Sequence, residues 1–120
     1  MKAHIYFYIA IMFIDLDRFK YINDTAGHET GDEIIKLAGN RLKEIVKEPN
    51  IISRLGGDEF TVLIPSISKT EDIILDADNI LKAFTKPFKI NNDEYFITAS
   101  IGISICPFDG TDAPSHFYST

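Results

Sequence analysis

The run Ile5-Tyr6-Phe7-Tyr8-Ile9-Ala10-Ile11-Met12-Phe13-Ile14 stops abruptly on Asp15-Leu16-Asp17-Arg18, and this junction constrains the fold more than any other segment. Its aromatic and β-branched residues favour a pleated strand, and an unbroken apolar run of this length reads as a central strand buried on both faces. It is too short to cross a bilayer as a helix. No small-residue cleavage site follows it, so neither an anchor nor a signal peptide fits. A chain of 120 residues, 45% apolar, suffices for one domain with a genuine core and not for two. The net charge is −6 and no Lys/Arg run interrupts the acidic excess, which argues against nucleic acid as a partner; any phosphate ligand must be met locally, with a cation. The single cysteine, Cys106, excludes an internal disulfide and a thiolate zinc site, and suits a reducing, cytoplasmic setting.

Beyond the first strand, Thr30 and Glu33 have capping-box spacing, and Ile34, Ile35, Ala38, Leu42, Ile45 and Val46 recur at helical intervals up to Pro49. Ile51 to Leu55 and Phe60 to Ile64 flank Gly56-Gly57, the pattern of a tight hairpin with Asp58 and Glu59 at its tip. Ser68 with Glu71 predicts the start of a second amphipathic helix carrying Ile73, Ile74, Ala77, Ile80, Leu81 and Phe84 and stopping before Pro87. Phe88 to Ile90, a turn at Asn91-Asn92-Asp93 and the run Tyr95 to Ile105 predict a second hairpin, and Cys106 to Thr120 reads as a loop. This order predicts an α/β sandwich, one mixed sheet flanked by helices.

Carboxylates at the ends of apolar elements are costly unless solvated or bound to cations. Two such clusters occur, Asp15 with Asp17 and Asp58 with Glu59. If their strands are neighbours, the clusters converge on one edge, where a hard divalent cation such as Mg²⁺ relieves their repulsion and keeps waters for a phosphate ligand. Taken singly, each feature also has a plain reading as a solubilising strand end or a bare glycine turn.

In conjunction they resemble the GGDEF domain family, the diguanylate cyclases of bacteria. The resemblance is carried by Phe13-Ile14-Asp15-Leu16-Asp17-Arg18-Phe19-Lys20, by Asn23-Asp24-Thr25-Ala26-Gly27-His28 with Gly31-Asp32, by Arg54-Leu55-Gly56-Gly57-Asp58-Glu59-Phe60, and by Ala99-Ser100-Ile101-Gly102-Ile103. It implies a palm-like sheet similar to that of nucleotidyl cyclase catalytic domains. It also implies condensation of two GTP molecules into cyclic di-GMP with loss of two pyrophosphates, dependent on Mg²⁺ (or Mn²⁺). By the same resemblance, Asp15, the Leu16 carbonyl and Asp58 hold metal, and Asp58, Glu59 and Lys20 are catalytic. Phe19, Asn23, His28, Asp32, Gly56 and Gly57 then contact the substrate, with Asn23 and Asp32 reading guanine. For Lys20 an ordinary exposed lysine, and for His28 a residue satisfying a local turn, stay open as alternatives.

Two departures accompany the resemblance. Where the family carries an Arg and an Asp three apart as a product-inhibition site, this chain has Lys47-Glu48-Pro49-Asn50, and lysine cannot reproduce the bidentate fork of arginine. The chain also resembles a member truncated at both ends: residues 1–113 match the domain without its usual first and last helices, and 114–120 form a divergent tail. Because each domain holds one GTP, the resemblance implies a homodimer as the active form, and sensor or phosphodiesterase domains in a longer native protein. The alternative is a catalytically silent fragment that binds GTP weakly or acts through protein contacts.

Overall fold

The computed structural model describes residues 7–108 and 116–119. Ten elements follow in order: β1 (Phe7–Leu16), α1 (Phe19–Ala26), α2 (His28–Ile45), β2 (Ile51–Gly56), β3 (Glu59–Ile67), α3 (Thr70–Ala83), β4 (Phe88–Ile90), β5 (Asp93–Tyr95), β6 (Ala99–Phe108) and β7 (His116–Ser119). Five strands form one sheet in the order β2-β3-β1-β6-β7, and β4 with β5 form a separate two-stranded ribbon. The apolar run thus becomes the central strand, its ladder reaching from Phe7 to Leu16 along β6. The first two residues of the run, Ile5 and Tyr6, lie outside the described residues, as do the boundary at 113/114 and the loop at 109–112.

All pairings among the described strands are antiparallel, where the element order predicts a mixed sheet. The helices α1 and α2 carry the chain across so that β2 runs parallel to β1, but β3 inserts between them and makes each neighbouring pair antiparallel. This is a split βαβ arrangement.

Alternation along the strands decides which face is core. Ala10, Met12, Ile14 and Leu16 of β1, Phe60, Val62 and Ile64 of β3, and Ala99, Ile101, Ile103 and Ile105 of β6 are buried in one cluster. Ile34, Ile35, Ala38 and Leu42 of α2 and Ile73, Ala77 and Ile80 of α3 pack into it, with Phe19, Phe84, Phe88 and Ile97. The opposite face is not covered in the same way: Ile9 and Ile11 are half-buried, Phe13 is 43% exposed, and Leu55 of β2 is 62% exposed. The expectation of a first strand buried on both faces is therefore corrected. The long helices pack on one side of the sheet, so the odd-numbered residues of β1 lack the cover that the even-numbered ones receive.

Local chemistry moves several boundaries. Gly27, at φ 95, lets the chain turn from α1 directly into α2, so α2 starts at His28 and Thr30 falls inside its first turn instead of capping it. Lys69, extended, precedes α3, and neither predicted capping box makes a side-chain cap. The second hairpin is shorter than its apolar run: β5 ends at Tyr95, and β6 starts at Ala99 and joins β1 in the main sheet. Its separation is anchored where the Asp17 N–H donates to the Thr98 carbonyl at 2.9 Å. The segment from Cys106, predicted as loop, continues β6 to Phe108, and β7 pairs back onto it from Gly102 to Ile105.

Candidate active site

Strand pairing brings the two acidic clusters together. Asp15 lies opposite Glu59 of β3 on one side and Ser100 of β6 on the other. The hairpin turns at Gly57-Asp58, one residue later than the Gly-Gly pair predicts, because Gly56 still pairs with Glu59. Gly57 takes the left-handed φ of 53 that a side chain would strain, and Arg54 clamps the turn by donating Nε and Nη2 to the Gly57 carbonyl at 3.2 and 2.9 Å. The Leu16 N–H donates to the Asp58 carbonyl at 3.2 Å, fixing the hairpin tip against the end of β1.

Carboxylate oxygens of Asp15, Asp58 and Glu59 lie within 4.8 Å of one another as a result. Burial raises the pKa of the Asp15 carboxyl above the usual carboxylate range, and the negative charges of Asp58, Glu59 and Asp17 and a hydrogen bond with Asp58 push it the same way. The ion pairs among the described residues are Lys82–Asp78 and Lys89–Glu94, so no basic side chain neutralises this trio. An all-oxygen, net-negative donor set of this kind fits a hard divalent cation. Asp15 and Glu59 also line an open cleft of about 480 Å³ with Phe13, Leu55, Phe60, Ser100 and Gly102.

Asp17 does not join the trio. Both of its oxygens accept hydroxyl bonds from β6 and the residue before it, Thr98 to Oδ2 at 2.7 Å and Ser100 to Oδ1 at 2.6 Å.

The remaining candidates sit on the paired helices. Phe19 is buried at the first position of α1 and Lys20 beside it is exposed. The sequence of 19–26 predicts ligand contacts and no helix; Phe19, Ile22 and Ala26 hold helical spacing, but Asn23, Asp24, Thr25 and Gly27 are turn formers that obscure it. Asn23 packs against Gly31 of α2, and its Oδ1 is buried without a hydrogen-bond partner. A Cβ at Gly31 would collide with that oxygen and come within 3.2 Å of Phe19 Cζ, which is why glycine stands there. Asp32, the next residue, is exposed, and so is His28 at the head of α2. His28 belongs to no cluster of metal-ligating side chains among the described residues.

Arg54, Gly31, Thr98 and Ser100 are supporting residues to which the sequence alone assigns no role. Gly31, Arg54 and Ser100 stand inside quoted motifs, and that proximity is the one signal that marks them.

Comparison with known proteins gives the family. The model of the family described as "Diguanylate cyclase, GGDEF domain" matches residues 2–119. The chain is 43% identical over 103 residues to the signaling protein YkoW of Bacillus subtilis, covering 85% of this chain and 13% of that protein. It is 36% identical over 108 residues to the diguanylate cyclase TpbB of Pseudomonas aeruginosa, covering 89% of this chain and 25% of that protein. The crystal structure of the TpbB GGDEF domain superimposes with a TM-score of 0.80 at 35% identity, over 82% of this chain and 62% of that one. The chain therefore spans a quarter or less of these two relatives and under two thirds of the solved domain. The sheet order, the helices on one face and the matched signature place the architecture with the palm-like fold of these neighbours, and the chain belongs to the GGDEF family of diguanylate cyclase domains.

Proposed function

We propose that this chain is a diguanylate cyclase domain that joins two GTP molecules into cyclic di-GMP and releases two pyrophosphates. The observation that carries this reading is the convergence of Asp15, Asp58 and Glu59 within 4.8 Å beside an open cleft, with no basic side chain paired to them among the described residues. Asp15, Asp58 and the Leu16 carbonyl are the groups that would hold Mg²⁺ or Mn²⁺. When bound, such a cation neutralises phosphate charge and lowers the pKa of a nearby hydroxyl.

The chain's own residues do the rest. Asp58, assisted by Glu59, takes the proton of the attacking 3′-hydroxyl. Lys20 offers its ammonium to the charge developing on the phosphoryl group. Gly56 and Gly57 keep the turn bare so that backbone can approach the ligand. Asp32 accepts from the N1 and N2 donors of guanine. Asn23, its Oδ1 turned against Gly31, is left with its NH₂ as the donor for an acceptor on the base. Phe19 packs beneath Gly31, and His28 is a further substrate contact. One GTP per chain makes a face-to-face homodimer the active form, in a cytoplasmic protein that carries sensor or phosphodiesterase domains. Purified protein incubated with GTP and Mg²⁺ or Mn²⁺ is expected to yield cyclic di-GMP on chromatography. Folded protein that makes none, with either cation, would leave the silent binding module.

Three predictions test the nucleotide side. Asp32→Ala is expected to weaken GTP at least several-fold in titration calorimetry and ATP much less, because only guanine presents the paired donors; equal losses remove Asp32 from that role.

Gly31→Ala separates stability from binding. Alanine in place of glycine inside a helix gains about 1 kcal/mol, while an overpacked contact costs about 1–3 kcal/mol, so the two nearly offset and melting should move by only a few degrees. The displaced Asn23 should still cost roughly tenfold in GTP affinity, the worth of about one hydrogen bond.

Feedback is the third. Lys47 and Asn50 line a cavity of about 140 Å³ with Asp76 and Asn79, and burial and the charge of Asp72 raise the Asp76 pKa. A phosphate there meets a carboxylate and lacks the arginine fork. At about 1.5–3 kcal/mol for each charged hydrogen bond, two lost bonds lower product affinity a hundredfold or more. Calorimetry with cyclic di-GMP is expected to show no submicromolar binding at this surface; tight binding abolished by Lys47→Ala would contradict it.

A further inference from the structure

Asp15 and Asp17 flank Leu16 in one short acidic run, yet the fold treats them differently. The two oxygens of Asp17 accept hydroxyl bonds at 2.7 Å from Thr98 and 2.6 Å from Ser100, and its N–H donates to the Thr98 carbonyl at 2.9 Å. One residue earlier, the Leu16 N–H is held by the Asp58 carbonyl at 3.2 Å. The end of β1 is thus gripped from β6 on one side and from the hairpin tip on the other. Hydroxyl bonds to a carboxylate at such distances are charge-assisted and strong. Asp17 spends both oxygens on neutral donors, whereas oxygens of Asp15, Asp58 and Glu59 crowd together without a cationic partner among the described residues.

We propose that Thr98 and Ser100 form a hydroxyl clamp that makes Asp17 a positioning residue instead of a cation ligand. The clamp draws the Asp17 carboxylate towards β6 and thereby fixes the Asp15 carboxylate and the Leu16 carbonyl in the orientation that a divalent cation requires. The proposal rests on the cation-site reading given above. Partners that orient ligating groups are worth about 10- to 100-fold in metal affinity.

The test is a Mn²⁺ titration of the whole chain, with free Mn²⁺ read by electron paramagnetic resonance, alongside hydrogen exchange at the Asp17 amide. The double variant Thr98→Val/Ser100→Ala alters two exposed side chains, and its fold is checked by circular dichroism. It is expected to bind Mn²⁺ at least tenfold more weakly and to exchange the Asp17 amide faster, while Thr98→Ser, which keeps the hydroxyl, matches the parent. Unchanged affinity in the folded double variant overturns the proposal. Tighter binding does so as well, since it would mean that a released Asp17 becomes a ligand. An Asp17 amide that exchanges at the parental rate overturns the clamp without reference to any metal. Failure of the parent itself to bind Mn²⁺ overturns the cation-site reading and, with it, the purpose assigned to the clamp; Asp15→Asn is the control that separates these cases.

Discussion

Asp15→Asn is expected to raise the melting temperature of the metal-free protein while abolishing its stabilisation by Mg²⁺. In the folded chain, burial and the neighbouring charges of Asp58, Glu59 and Asp17 make the Asp15 carboxyl hold its proton more tightly than an unfolded aspartate does. The folded state then binds more protons than the unfolded one just above the usual carboxylate range, so stability falls as pH rises through that window and stays reduced above it. Asparagine has no charge to repel its neighbours, so the variant should melt higher at neutral pH and lose this part of the pH dependence. The cation reverses the comparison. At a concentration a hundred times its Kd, a ligand that binds only the folded state contributes about 2.7 kcal/mol, and the variant is expected to forfeit this together with the proposed cyclic di-GMP formation. Thermal melts across pH, with and without Mg²⁺, measure both effects. A variant that melts lower without metal would show that repulsion is not the dominant force at the site.

Arg41→Ala is expected to be the most damaging single change to stability away from the apolar core. Arg41 of α2 donates Nη1 to the carbonyls of Ala83 at 3.1 Å and Lys86 at 2.7 Å, and Nη2 to that of Pro87 at 3.1 Å. Its guanidinium carbon lies 3.8 Å from the ring centre of Phe88 and 5.7 Å from that of Phe84. One side chain thereby satisfies carbonyls at the last residue of α3 and just past it, and covers the aromatic pair beneath them. Hydrogen bonds from charged donors contribute about 1.5–3 kcal/mol and a cation over a ring about 0.5–2 kcal/mol; because these share one group they do not add, and about 3 kcal/mol is the expected loss. That corresponds to a fall in Tm of about 10 °C, measurable by calorimetry. Arg41→Lys should recover less than half of it, since an ammonium cannot span three carbonyls or stack flat on Phe88. A variant within 2–3 °C of the parent would contradict this assignment.

What the sequence discloses and what it hides divide along a physical line. The strand at the apolar run, the hairpin around Gly56-Gly57 and the apolar stripe of α2 were legible because each is a local pattern of side chains. So was the convergence of Asp15 with Asp58 and Glu59, once neighbouring strands were assumed. Arg41 and Arg54 were not, because their partners are backbone carbonyls, which carry no signature in the letters of a sequence. Nor was the division of labour between Asp15 and Asp17, which is decided by two hydroxyls supplied from far along the chain. The open face of β1 is hidden for a related reason: hydrophobicity records that a residue can be buried, while the placement of the helices determines whether it is.

The central position of β1 also sets a timetable. Asp15 comes early in the chain, but its partners on β3 must cross α1 and α2 to reach it, and the Asp17–Thr98 bond closes a separation of 81 residues. Contacts this distant in sequence are made late, after the entropy of closing the intervening loops has been met. During synthesis Asp15 and Asp17 therefore leave the ribosome long before the residues of β6 that pair with β1. The helices and the first hairpin can gather around β1 while its end is still held from one side, and the Thr98 and Ser100 bonds to Asp17 form only when β6 has emerged and docked.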